Sequence, residues 1–109
     1  MKEIVEHYRE KEILFRSLKP VALKELGSRK KVDIYLGVDI QKYYVMILRI
    51  EKKSRILRKE IEEFVLLHQR LEKWADSKIV KKYIMIKAPL CSKAKVSLEE
   101  HAWEVEVLV

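Results

Sequence analysis

The sequence has one cysteine, two glycines and two prolines in 109 residues, and no asparagine or threonine at all. The single thiol, Cys91, excludes an internal disulfide and the paired cysteine spacings that hold structural zinc. With glycine only at positions 27 and 37 there is no glycine-rich loop to cradle a nucleotide phosphate. His7, His68 and His101 show no metal-ligand spacing, and no Ser-His-Asp arrangement accompanies them. The longest unbroken apolar run, residues 43–48, is far shorter than the about 20 residues that cross a bilayer. Met1, Lys2 and Glu3 lead into no apolar signal segment. The expectation is a soluble, cytoplasmic protein. With no repeat, low-complexity tract or linker, residues 1–109 read as one domain, long enough to bury one core.

Charge, by contrast, is abundant. Lys and Arg number 24 against 17 Asp and Glu, a net charge of +7, which favours a polyanionic partner and leans toward nucleic acid. The wealth of Lys, Arg and Glu beside so few side-chain amides also matches the bias of heat-adapted proteins, so part of the charge is expected to serve thermostability.

Periodicity supplies the elements. Ile4, Tyr8, Leu14, Phe15 and Leu18 fit one stripe of a helix over residues 3–18, stopped by Pro20. Residues 20–26 suit either a short helix, with Pro20 at its start and Gly27 past its end, or a strand in which Val21, Leu23 and Glu25 alternate. Residues 32–40 alternate as a strand, and residues 43–50 are apolar on both faces apart from Arg49, as a central strand is. These two form a hairpin. Leu57, Ile61, Phe64, His68, Leu71 and Ala75 mark a long amphipathic helix over residues 55–75. A short buried strand at 83–87, a helix from Pro89 to about residue 100 and a last strand at 103–109 complete the chain. The order predicts an α/β domain, a mixed β-sheet with flanking helices.

The end of the hairpin carries the candidate chemistry. Metal-dependent nucleases need carboxylates to hold Mg²⁺ against a phosphate and a lysine to orient the attacking water. Glu51 and Lys53, two apart on one strand, would send their side chains to the same face. With the turn centred near Lys42, Asp33 lies across from Glu51, whereas Asp39 would be roughly 20 Å away at about 3.3 Å per residue. Asp33 and Glu51 are therefore the candidate metal ligands, with Glu51 and Lys53 the candidate catalytic pair. A one-residue slip of the turn would send Asp33 to the other face. The competing reading is a solvated hairpin end, because acid-x-Lys arises by chance in so charged a chain, as at Asp76-Ser77-Lys78. Arg29, Lys30, Lys31, Lys52, Arg55, Arg58 and Lys59 gather at the same end and form a candidate phosphate-binding patch.

An amino-terminal helix, a hairpin carrying VDIYLG and YYVMILRIEKK, a long helix and a following strand resemble the core of the PD-(D/E)XK (restriction-endonuclease-like) nuclease superfamily, the archaeal Holliday-junction resolvases in particular. The resemblance covers about residues 1–87. It implies a Mg²⁺-dependent endonuclease acting on DNA, with Asp33, Glu51 and Lys53 in the site, an acid from the first helix such as Glu10 or Glu12 beside them, and a homodimeric assembly. It also implies a three-strand meander before the long helix, one strand of which is lacking if residues 20–26 are helical. The alternative is a non-catalytic interaction or structural domain of the same fold, with a basic surface for nucleic acid or protein. Near the carboxyl end, KAPLCSKAKVSL resembles the active-site turn of glutaredoxins, but Ala88 stands where their nucleophilic cysteine would be, and no such activity is expected. Cys91 reads as a packing residue at a helix start.

Overall fold

The computed structural model describes residues 2–11, 13–26 and 32–108. Helix α1 (Lys2–Glu10) buries Ile4 and Tyr8, four residues apart on one stripe. The helix was expected to continue to residue 18. Instead the carbonyl of Tyr8 accepts from the amides of Lys11 and Ile13, the chain turns, and β1 (Phe15–Val21) runs antiparallel to β2 (Asp33–Asp39). A bulge accounts for the difference. A register shift between Phe15 and Ser17 puts Phe15 and Leu18, three residues apart, against the same core, a spacing that imitates a helical stripe. Pro20 lies in this edge strand, where a sheet tolerates a missing amide. The stretch left open, residues 20–26, divides into the end of β1 and a single 3₁₀ turn, Leu23–Leu26.

β2 and β3 (Tyr44–Glu51) form the expected hairpin, closed by the Asp39 carbonyl accepting from the Lys42 amide and by Lys42 in the left-handed region at φ 72°. The register differs from the expected one by two residues, so Asp33 pairs with Arg49 and not with Glu51. Because the shift is even, every side chain keeps its predicted face.

From β3 the chain crosses through α2 (Arg58–Ala75) to the parallel strand β4 (Lys81–Lys87), and through α3 (Ser92–Glu100) to the parallel strand β5 (Trp103–Val107). The five strands lie in the order β1-β2-β3-β4-β5, an antiparallel meander followed by two parallel crossovers. The mixed-sheet α/β architecture read from the sequence is the observed one, and β1 is the third strand of the meander. The helices expected from residues 55 and 89 begin later, at Arg58 and Ser92. Leu57 has no side-chain acceptor, and the first turn of α2 is capped from within by Glu60, whose carboxylate accepts from the Leu57 amide at 3.2 Å.

Two apolar layers hold the sheet. On one face Ile61, Phe64, Leu67 and Leu71 of α2 and Ala94 and Leu98 of α3 pack on Ile34, Leu36, Met46, Leu48, Ile84 and Ile86. On the other, Ile4 and Tyr8 of α1 pack on Val45, Ile47, Tyr83 and Met85. β3 is covered on both sides, which is why it is apolar throughout. An ion pair of Lys11 with Glu106, whose carboxylate also lies 3.6 Å from His7 Nε2, ties α1 and the turn after it to β5. No helix among the described residues is long and apolar enough to cross a membrane.

Candidate functional site

β2 begins at Asp33 and β3 ends at Glu51, so both stand at the same end of the sheet, on the face that α1 covers. Between them lies Arg49. Its Nη1 is 3.7 Å from an Asp33 carboxylate oxygen, and its Nη2 is 3.4 Å from Glu51 and 3.4 Å from Glu3 on α1. The Arg49 side chain is only 18% exposed, whereas the three carboxylates are 57–60% exposed. Burial opposes the charge of the guanidinium, but Glu3, followed by Glu51 and Asp33, more than offsets it and raises its pKa. The Tyr35 phenol on the same face is pushed up by burial and by the Asp33 charge.

Asp33 and Glu51 thus share one guanidinium, with Asp33 opposite Arg49 and not opposite Glu51. The first-helix acid is Glu3; Glu10 is exposed at the far end of α1, and Glu12 lies outside the described residues. Lys53 sits in the bend after β3, exposed and no longer governed by strand alternation. Mg²⁺ held by Asp33 and Glu51 would need both carboxylates turned toward the metal. Here they approach different nitrogens of one arginine, and among the described residues no group of three or more acidic, histidine or cysteine side chains is arranged to hold a metal ion. As arranged, these residues do not fit a divalent ion. Arg49 is the one charge within the apolar run of residues 43–50, and that exception was the available signal for its role.

The basic patch separates into parts. Lys52 turns to the α2 face and pairs with Glu60 at 2.6 Å. Arg55, Arg58 and Lys59 are exposed at the entry to α2. Arg58 also lines an open groove of about 360 Å³ with Ser92 and Lys93 of α3. Arg29, Lys30 and Lys31 lie outside the described residues. Cys91 caps α3, its Sγ accepting from the Ala94 amide at 3.3 Å. His68, on the apolar stripe of α2, has Nε2 at 2.9 Å from the Ile79 carbonyl, a half-buried structural contact.

No protein-family model matches the sequence, and no curated protein matches it. Solved structures do. A repair endonuclease from Pyrococcus abyssi aligns over 98% of this chain and 44% of its own, with 18% identity and a TM-score of 0.57. EndoMS in its apo form aligns over 99% and 44%, with 18% identity and a TM-score of 0.60. EndoMS in a complex with double-stranded DNA aligns over 98% and 41%, with 17% identity and a TM-score of 0.53. This chain spans less than half the length of each matched chain, and what it shares with that part of these endonucleases is the fold.

Proposed function

We propose that the chain is a nucleic-acid-binding domain of nuclease fold, of the PD-(D/E)XK type that the sequence resembles, and that it binds DNA without cutting it. The observation that carries this reading is Arg49, whose guanidinium sits among Glu3, Asp33 and Glu51 where a hydrolytic site would need a divalent ion. The net charge of +7 and the exposed Arg55, Arg58 and Lys59 supply attraction to phosphates. The likeness in fold to an endonuclease solved on double-stranded DNA supports DNA as the polyanion.

The second reading is a Mg²⁺-dependent endonuclease using Asp33, Glu51 and Lys53. It is favoured by one observation, that Asp33 and Glu51 share a face and reach a common cation. Fluorescence anisotropy on duplex and branched DNA, run beside nicking of supercoiled plasmid with Mg²⁺ or Mn²⁺, separates the two. Salt-sensitive binding without metal-dependent nicking is the expected result. Nicking that vanishes in Glu51→Ala would establish the second reading, and no binding at low salt would remove both. Sedimentation of the same samples reads the homodimer that the resemblance implies.

A further inference from the structure

At the opposite end of the sheet from Arg49 the helical cover is incomplete. α2 ends there at Ala75, and the turn Leu23–Leu26, which packs beside α2, follows Val21, the partner of Ile34, and so lies toward the Arg49 end. The result is a cleft of about 420 Å³ lined by Ser17 and Lys19 of β1, Leu36 and Val38 of β2, Tyr44 of β3, and Trp74 at the end of α2. That volume is in the range of about 300–1,000 Å³ that holds single small ligands. Trp74 is 42% exposed and Tyr44 38% exposed. The ammonium of Lys19 lies 5.6 Å from the centre of the Trp74 ring.

We propose that this cleft is a subsite for one unpaired nucleobase and its phosphate, with Trp74 and Tyr44 as stacking surfaces and Lys19 as the phosphate partner. The inference rests on the reading of the chain as a nucleic-acid binder and adds to it a preference for bases outside a duplex. The chemistry follows from the lining. Aromatic faces stack on any base, the apolar floor of Leu36 and Val38 accepts a flat ring, and the cleft offers one cation. The carbonyl end of the α2 dipole disfavours an anion beside Trp74, which places the phosphate at the β1 wall, at Lys19, and the neutral base at the helix. Lys19 is exposed on an edge strand and is free to leave the Trp74 ring as a base enters.

Tryptophan fluorescence tests this directly, because Trp74 is exposed and the other tryptophan, Trp103, is 2% exposed. The full chain is titrated with oligothymidylate, with a duplex of equal length, and with an abasic deoxyribose-phosphate oligomer. The expected result is quenching by oligothymidylate alone, and a loss of single-strand affinity of about 5- to 100-fold in Trp74→Ala that Trp74→Phe largely restores. Duplex affinity should be unchanged in both variants. Equal binding of the abasic oligomer, or a ratio of single-strand to duplex affinity unmoved by Trp74→Ala, would overturn the assignment. Duplex binding without any oligothymidylate quenching would leave the DNA-binding reading intact and remove this one. If no nucleic acid binds at all, both readings fall.

Discussion

Asp39 is 4% exposed at the end of β2, and each of its carboxylate oxygens is satisfied. Oδ1 accepts from the amides of Gln41 and Tyr43, both at 2.9 Å, and Oδ2 accepts from the Lys81 ammonium at 2.6 Å. Burial alone would raise its pKa; the Lys81 bond and the Tyr43 and Gln41 amides outweigh it and hold the carboxyl below its ordinary value. The Lys81 pKa is raised, chiefly by the hydrogen bond to Asp39. A depressed carboxyl contributes stability that is complete above the unfolded value of about 3.9 and is lost as pH falls through its lower folded value; a raised ammonium contributes stability that is complete below about 10.4 and is lost as pH rises through its higher folded value. Asp39→Asn should therefore cost about 1.5–3 kcal/mol in urea denaturation near neutral pH, a loss that shrinks as the wild type is taken below about pH 4. A constant difference across that acid range would show that the pair does not titrate as described. Arg49 differs in kind. Its contacts are long and open to solvent on the carboxylate side, worth about 0–1 kcal/mol each, so its significance lies in position. Arg49→Gln leaves Glu3, Asp33 and Glu51 facing one another without their cation. The expected outcome is that Mn²⁺ raises the melting temperature of the variant and not that of the wild type. An equal response of the two proteins would show that Arg49 does not occupy the cation's place.

Among the elements, the long helix and β2 were legible from a single strong period and β3 from its continuous apolar run, whereas β1 was not. Its bulge breaks the alternation that marks a strand and substitutes a three-residue spacing between Phe15 and Leu18. Gly37, the partner of Leu18, is what lets β1 approach at that point. A Cβ there would stand 3.0 Å from Leu18 Cδ1 and 3.1 Å from the Ser17 carbonyl oxygen, and the second contact is backbone that does not readily move. Gly37→Ala should lower stability by about 1–3 kcal/mol in denaturant unfolding. An unchanged unfolding midpoint would mean that β1 yields without loss. The hairpin register shows the complementary case. Alternation fixed which face each residue occupies but not which residue lies opposite, since an even slip preserves every face, and the turn at Asp39–Lys42 decided the rest.

For the molecule as a whole, the two apolar layers account for one cooperative domain, and the surplus of positive charge accounts for the kind of partner proposed. If about four to six phosphates are neutralised, DNA affinity should fall about 10²- to 10³-fold between 50 and 200 mM salt, read from anisotropy titrations; a flat salt response would exclude a phosphate-driven contact. By itself, the sequence determined the fold class, the long helix, the shared face of Asp33 and Glu51, and the sign of the charge, because periodicity and composition are local properties of the chain. Only the tertiary structure decided the third strand of the meander, the cation that Glu3, Asp33 and Glu51 surround, and the cleft between Lys19 and Trp74. Each of those depends on residues distant in sequence meeting at one point, through strand registers and a helix end that no local pattern specifies.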